Sequence, residues 1–521
     1  MALLLFFSMR FFNAKNRMKI YGRDARTGFV SGWMGNKVIV SGVTSRRVCR
    51  NGVKRNNMVF SSLEFIFVFL PLCLLFYLPA SGRWKNRALF LASIIFYAVG
   101  TIHHPIYLIL PLSAVLVTYG AARGMQRHPQ RKRWFLIPAL IFLFGSLFVF
   151  KYFNFVYSNI STWFDLKQIT TGLMLPAGIS FYTFQATSYL VDVSRGVCAP
   201  SANLLDHGTY LMMFPYVISG PICRYPRIQH QLEKRQITLE AISSGLQLFM
   251  FGLGCKVLLA NRIGGLWKQV CSIGFESVST PLAWMGILAY SLQLYFDFYG
   301  YSLMAVGIGR MLGFSLPRNF DLPYMSCSMT EFWRRWHMTL GQWFRDYIYI
   351  PLGGSRCSKW KTMRNLLVVW LFTGIWHGAG WNFLLWGAIL FVLVALEKIG
   401  WGKVLARSRV LGHIYMLICI PLTWAVFAIT EIDKLWVFFT RLFPFDGQWA
   451  SPVFSGDFLK YGREYGILLL IGCICCTGVA ERFVERYRRS WFGMLVLLAV
   501  FWGSIWMIYH GLNDPFMYFQ F

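Results

Sequence analysis

The sequence predicts an all-α polytopic membrane protein, and composition and apolar run length both support this fold class. Of its 521 residues, 56% are hydrophobic and only 14% are charged, and the mean hydropathy is +0.49. This composition is typical of a chain that is surrounded mostly by lipid. Apolar runs of about 20 residues, long enough to cross a bilayer, recur along the chain, so we expect about ten to twelve transmembrane helices.

The predicted spans are separated by short loops or by breaks in the apolar pattern. They begin near Val59, Ala88, Pro105, Trp134, Thr171, Gly245, Pro281, Leu366, Phe383, Val410, Gly466 and Trp491. Two segments, residues 211–220 and 362–381, are short or interrupted by Pro and Gly. Membranes tolerate broken or re-entrant helices only where protein or a water-filled cavity satisfies the backbone, so we expect a cavity near them.

The net charge of +30 is carried largely by short loops between the apolar runs. Three such loops are residues 123–133, 356–364 and 482–489, each rich in Arg or Lys. Basic loops mark the cytoplasmic side of a membrane protein and face anionic lipid headgroups. The charge therefore predicts a multi-pass cell-membrane protein whose partners include membrane lipids, and not a nucleic-acid-binding protein.

Residues 1–57 differ from the rest of the chain. They contain many Lys and Arg against the single acid Asp24, and no apolar run there is long enough to span a bilayer. We interpret them as a basic N-terminal extension that is disordered or precedes the true start, because Met58 directly opens an apolar helix. Residues 58–521 are predicted to form one membrane domain. The cysteines lie mostly in or beside apolar runs, where they act as small apolar residues, so no metal site is predicted.

Two short motifs place ionisable residues inside apolar sequence: Glu331-Phe-Trp-Arg-Arg-Trp-His337 and Gly374-Ile-Trp-His377-Gly378. Such residues at membrane depth indicate a functional site. The two histidines are too far apart to share one helix face, so only the packing of separate segments would bring them together. The alternative for each is a buried, hydrogen-bonded structural histidine.

Arg334 and Arg335 lie between Trp333 and Trp336. Guanidinium groups beside aromatic rings suit phosphate binding, as a coenzyme A or carrier phosphate requires, but Trp and Arg also anchor helices at the headgroup level. Both interpretations stay open.

Two aspartates are also singled out. Asp346 is predicted to pair with an arginine, since charges in membranes usually have partners. Asp297 either hydrogen-bonds a catalytic histidine, lines a tunnel, or pairs with Arg310 or Arg318.

Several motifs together resemble the membrane-bound O-acyltransferase family, and within it the alginate O-acetyltransferase-type branch. In chain order they are residues 175–185, 189–196, 214–225, 295–301, 331–354, 376–383 and 513–521. The resemblance implies a helical bundle around a central tunnel, which an acyl donor enters from the cytoplasm and an acceptor from outside. It implies no bound cofactor, with acetyl-CoA as the expected donor substrate.

The resemblance also assigns residues. His377 corresponds to the family's invariant histidine and His337 to its second His or Asn position, so both are expected to be catalytic. Arg334, Arg335, Trp336, Asp297 and Asn382 are the expected substrate-binding residues. A buried histidine can act as general base toward a hydroxyl while apolar walls exclude water. His337 could orient the acceptor, hold the thioester carbonyl or stabilise the oxyanion.

Three functions are therefore considered. The first is transfer of acetyl across the bacterial inner membrane to an exported cell-surface polysaccharide, directly or through a periplasmic or extracellular serine-dependent (SGNH-like) acetyltransferase. The second is D-alanyl transfer to teichoic acid on the same scaffold. The third is a non-enzymatic polysaccharide or lipid transporter, which would not explain the two histidines.

Overall fold

The computed structural model describes residues 58–101, 104–445, 454–511 and 517, and every regular element in those ranges is a helix. The predicted basic extension and most of the last motif, residues 513–521, lie outside the described residues. We number the α-helices in chain order.

The first eleven are α1 Leu70–Tyr77, α2 Arg83–Gly100, α3 Ile109–Arg127, α4 Lys132–Leu147, α5 Phe153–Trp163, α6 Ile179–Arg195, α7 Leu204–Met212, α8 Phe214–Val217, α9 Tyr225–Glu233, α10 Leu239–Gly254 and α11 Asn261–Ile273. The others are α12 Thr280–Met311, α13 Met329–Arg335, α14 Met338–Phe344, α15 Lys359–His377, α16 Trp381–Leu396, α17 Gly402–Leu405, α18 Arg409–Ala428, α19 Ile432–Leu442, α20 Asp457–Cys476, α21 Val479–Tyr487 and α22 Trp491–Tyr509. Five π-helical segments extend or precede them: Phe65–Phe69, Phe148–Tyr152, Cys255–Ala260, Arg345–Tyr349 and Glu397–Trp401.

The apolar helices make this a multi-pass membrane protein. Within the described residues, six helices are long and apolar enough to cross a bilayer, and α20 with α21, bent by 66°, would make a seventh. The predicted ten to twelve spans are therefore not confirmed. Several predicted spans are helices that do not qualify as membrane spans. Two of them, α2 and α15, carry basic residues in their first two turns, and α6 has only 17 residues.

The two segments that sequence patterns predict to be broken behave differently. Between α7 and α8 the helix breaks at Met213, and the surrounding residues are buried, as expected of an interrupted helix held inside protein. The second segment is mostly one continuous helix, α15. Its only break is at residues 378–380, where the backbone is extended before α16 begins.

Glycines allow two helix pairs to pack backbone against backbone. In the crossing of α10 with α12, a Cβ on Gly245 would lie 2.5 Å from the Gly307 carbonyl oxygen, and one on Gly252 would lie 2.6 Å from that of Gly300. In the crossing of α15 with α16, a Cβ on Gly374 would lie 2.4 Å from the Phe383 oxygen. Small residues at such contacts are how membrane helices approach closely.

A buried ion pair joins the first of these crossings. Lys256, in the π-helical segment after α10, donates to the Asp297 carboxylate of α12, and both side chains are almost fully buried. The other Asp297 oxygen accepts from the Met517 backbone N–H at 2.8 Å. The expected partners Arg310 and Arg318 were wrong, since Arg318 instead faces Glu481 and Glu485.

Candidate active site

The helix that precedes His337 is fixed at its start by two side chains. Ser328 accepts from the Glu331 N–H at 3.1 Å. The buried Glu397 carboxylate accepts from the Met329 N–H at 2.5 Å and from the Thr330 N–H at 2.9 Å. A carboxylate at a helix N-terminus satisfies donors that have no partner within the helix and complements the helix dipole. These bonds anchor α13, whose end sets the position of His337.

His337 forms the bend between α13 and α14. Its φ of 44° and ψ of 51° lie in the left-handed region, which a residue with a Cβ rarely adopts. The conformation turns the chain so that α14 starts in a new direction while the imidazole stays 2% exposed. Strained backbone of this kind collects at functional sites, where surrounding contacts hold it in place.

His377 is the last residue of α15, and a lysine from another helix holds that end. The Lys151 Nζ, in the π-helical segment after α4, donates to the Trp376 carbonyl at 2.6 Å and to the His377 carbonyl at 3.2 Å. A cation suits the C-terminal carbonyls of a helix. The imidazole, 5% exposed, lies in an aromatic pocket, with the Trp386 ring at 5.0 Å and the Phe427 ring at 5.3 Å between centroids.

One cavity contacts both histidines. Its volume is about 250 Å³. It is lined by Thr330, Trp333, Arg334, Trp336, His337, Leu340, Gly341, Phe344, Arg345, Tyr349, Leu366, Val369, Trp370, Thr373, His377, Val394 and Lys398. The walls are thus largely aromatic and aliphatic around a few polar groups, which is the usual form of a small-molecule site.

A hydrogen-bond network defines the tautomer of His337. Its Nδ1 lies 3.0 Å from the Asn319 Oδ1. The same oxygen accepts from the Thr339 backbone N–H at 3.4 Å, and since an N–H only donates, this atom is the amide oxygen. His337 therefore donates through Nδ1. In a neutral imidazole the other nitrogen, Nε2, is then the acceptor. This atom is buried and has no hydrogen-bond partner among the described residues.

The other predicted site residues divide into two groups. Arg334 and Trp336 line the cavity with the histidines. Arg335 does not line it and pairs with Glu331 at 2.8 Å. Asn382 is buried and donates to the Phe427 carbonyl at 3.1 Å, behind the ring that packs on His377. Asp297 lies at the Lys256 pair, away from the cavity lining.

Three residues that hold the histidines or their helices in place were not predicted from the sequence: Asn319, Lys151 and Glu397. Asn319 comes 18 residues before His337, in a connecting segment. Lys151 and Glu397 lie in π-helical segments whose sequences look like ordinary apolar helix. A charged residue inside an apolar run was the signal that could have pointed to the last two. Among the described residues, no group of three His, Cys, Asp or Glu side chains could hold a metal ion.

Comparison with known proteins decides the family. Residues 197–407, which include both histidines, match the model of the membrane-bound O-acyltransferase family. A probable alginate O-acetylase of Azotobacter vinelandii is 37% identical over 439 residues, which are 82% of this chain and 86% of that protein. The chain belongs to the membrane-bound O-acyltransferase family. The resemblance seen in its motifs is confirmed. The protein is therefore an enzyme, an O-acyltransferase.

Two further relatives bear on the acyl group and the acceptor. A peptidoglycan O-acetyltransferase of Helicobacter pylori is 33% identical to this O-acyltransferase over 419 residues, covering 73% of the chain and 77% of the relative. A teichoic acid D-alanyltransferase of Bacillus subtilis is 28% identical over 242 residues, covering 43% of the chain and 60% of the relative. The sequence identity to the two O-acetylating relatives is thus higher than to the D-alanyltransferase, and it extends over a longer part of the chain.

Replacing Asn319 with Leu is expected to lower acyl transfer by about 10–100-fold, by analogy with residues that orient metal-binding histidines. The imidazole would then be free to change tautomer and to rotate. Asn319→Asp keeps an oxygen at the accepting position and should retain more activity. The measurement is kcat and KM of the purified variants, with the loss expected in kcat. Wild-type kcat in Asn319→Leu would contradict this role.

Proposed function

We propose that this membrane-bound O-acyltransferase moves acetyl groups across the bacterial inner membrane for O-acetylation of an exported cell-surface polysaccharide. The observation that carries the proposal is the common cavity of His337 and His377 in a chain whose long relatives are O-acetyltransferases. The donor is acetyl-CoA from the cytoplasm, and the acceptor approaches from the opposite side.

His377 is the general base in this proposal. It takes the proton of an acceptor hydroxyl as the oxygen attacks the thioester carbonyl carbon, and the coenzyme A thiolate leaves when the tetrahedral intermediate collapses. The rings of Trp386 and Phe427 exclude water that would compete for the thioester. The Lys151 contact to the His377 carbonyl keeps the imidazole in position, because it fixes the end of α15.

His337 orients the acceptor hydroxyl. Of the three roles expected from the sequence, this one fits the tautomer best, because Nδ1 donates to Asn319 and the remaining atom, Nε2, is an acceptor. An acceptor can receive the hydroxyl hydrogen bond of an incoming alcohol. An oxyanion instead requires a donor, which Nε2 of this tautomer does not provide.

The acceptor hydroxyl belongs either to the polysaccharide itself or to the serine of a periplasmic or extracellular SGNH-like acetyltransferase that passes the acetyl group on. Of the two arginines expected to bind substrate, Arg334 is the one that can contact the donor in this cavity, since it lines the cavity and is exposed at its edge. The D-alanyl and transporter alternatives remain as outcomes of the test, and no contact in the cavity favours either of them.

The test compares exported polymer from wild-type cells, cells without this chain, and complemented cells. Mild alkali releases esters, and acetate, D-alanine and total polymer are then measured. We expect acetate ester to disappear without the chain and to return on complementation, with the polymer amount unchanged. Loss of D-alanine ester instead would replace the proposal with the second function. Loss of the polymer itself from the cell exterior would replace it with transport.

A further inference from the structure

A second cavity, an apolar cleft, lies between α12 and the last helices of the chain. Its lining comes mainly from the end of α10 and the π-helical segment after it, the middle of α12, the bend between α20 and α21, and α22. None of its lining residues lines the histidine cavity. Its volume is about 190 Å³, below the roughly 300–1,000 Å³ of sites that hold drug-sized ligands. A narrow ligand therefore fits the cleft better than a bulky one.

Hydrocarbon is the chemistry that the walls of the cleft favour. Among the described lining residues Glu481 is the one charged group, and the other side chains are aliphatic, aromatic or thiol groups. Beside the lining residues in the chain, Ile474 and Val479 are 48% and 49% exposed, so the cleft opens toward the bilayer. An apolar groove beside lipid lacks van der Waals contacts when it is empty, and a hydrocarbon chain supplies them.

The helix α21 places the mouth of the cleft at the level of the lipid headgroups. It is bent by 66° from α20, and the bend is at Gly478, whose φ of 77° suits glycine. Its sequence, VAERFVERY, alternates apolar and charged pairs and is amphipathic. A basic helix of this kind lies in the membrane interface, and the basic loop 482–489 marks the cytoplasmic side. Since the first turn of α21 lines the cleft, its mouth faces the cytoplasmic leaflet.

Two arginines beside the mouth carry charge that no acid neutralises. Arg482 and Arg486 are exposed, lie one helical turn apart on α21, and have no carboxylate partner among the described residues. Both acids of α21 already face another arginine. Arginines elsewhere do have such partners, since Asp346 binds Arg224 and Arg345 as predicted from the sequence. Arginines of a basic interfacial helix attract anionic lipid headgroups.

We infer that this cleft binds one acyl chain of an anionic phospholipid from the cytoplasmic leaflet, with the headgroup on Arg482 and Arg486. The chain packs against Tyr295 in the cleft wall, whose ring centroid lies 6.1 Å from that of Trp336. Trp336 in turn lines the histidine cavity. The bound lipid thus supports the aromatic layer behind the candidate active site. The inference does not depend on the acyl group or the acceptor of the proposed function.

The test for the headgroup is native mass spectrometry of the purified full chain, stripped of lipid and titrated with phosphatidylglycerol or phosphatidylcholine of identical chains. We expect the wild type to bind one phosphatidylglycerol about 30-fold more tightly than phosphatidylcholine, the usual contribution of two arginines near a membrane surface. Arg482→Gln/Arg486→Gln should remove this preference. Arg127→Gln/Arg131→Gln is the matched control, because these exposed arginines have the same spacing and lie outside the cleft.

The test for the acyl chain fills the cleft. Val500→Phe should weaken binding of both lipids about tenfold, the loss expected when about two methylenes can no longer be buried. Val392→Phe is its control, since Val392 is 49% exposed and outside the cleft. Unfolding midpoints near that of the wild type show that the variants are folded, and the arginine variant tests the inference even if Val500→Phe does not fold. Equal affinity of the wild type for the two lipids, or equal effects of each variant and its control, would overturn the inference.

Discussion

His377→Ala is expected to lower the kcat of acetyl transfer by about 10²–10⁴-fold, the usual contribution of a general base. Coenzyme A binding should stay near that of the wild type, because the base acts on the acceptor in the transition state and does not hold the donor's phosphates. His377→Gln should behave similarly while keeping most of the side-chain volume, so a packing defect in the aromatic pocket would be recognised. The measurement is kcat, KM and coenzyme A affinity of purified protein.

Two further variants show whether the histidines act together. His337→Ala should also reduce kcat, and the double variant should be hardly worse than His377→Ala alone, because residues that act as a unit have non-additive effects. His230→Ala is the control, since this histidine is exposed and outside the cavity. Wild-type turnover of both His377 variants at normal membrane levels would exclude His377 as the base. A loss that multiplies fully in the double variant would show two independent roles.

Sequence patterns single out the two histidine motifs but not the residues that support them. His337 and His377 could be singled out because ionisable groups in apolar sequence are rare and costly. Asn319 could not, because an asparagine in a connecting segment has many ordinary roles, and only the folded chain shows its oxygen 3.0 Å from the imidazole. The left-handed φ of His337 is also invisible in sequence, since the residue is not a glycine.

In the fold, too, some features are predicted by the sequence and others are not. Most of the apolar runs form helices, because burial in lipid requires a continuous apolar surface and internally bonded backbone. The run expected to begin near Thr171 is an exception, since its helix begins only at Ile179. The number of membrane spans does not follow from the number of apolar runs, because a helix inside the bundle can be short, broken or partly polar when protein surrounds it. The broken pair α7 and α8 is one example, and α12, which carries the buried Asp297, is another.

Asp297 also shows why partners are hard to predict. Its partner Lys256 lies 41 residues earlier, inside a run that looks like a continuous apolar helix. The π-helical segment Cys255–Ala260 adds an extra residue to a helical turn and so changes which side chains face α12. Arginines closer in sequence were the natural candidates, but they lie at the solvent-facing end, where Arg318 meets Glu481.

Lys256→Met is expected to destabilise the protein by about 3–5 kcal/mol, because it leaves the Asp297 carboxylate buried without its cation. The pair joins the π-helical segment after α10 to α12 near the close glycine crossing, and Asp297 also accepts from the Met517 N–H, so this bond should weaken as well. The measurement is denaturant unfolding of purified protein in detergent micelles.

Two control variants test whether burial is the cause. Lys434→Met breaks the exposed pair with Glu431, whose side chains are 59% and 63% accessible, and should cost about 1 kcal/mol or less. The double variant Lys256→Met/Asp297→Leu removes both buried charges and should be more stable than Lys256→Met alone. It should not reach wild-type stability, because the bond to Met517 is lost. Equal unfolding midpoints for Lys256→Met and Lys434→Met would mean that the buried pair contributes no more to stability than a surface pair.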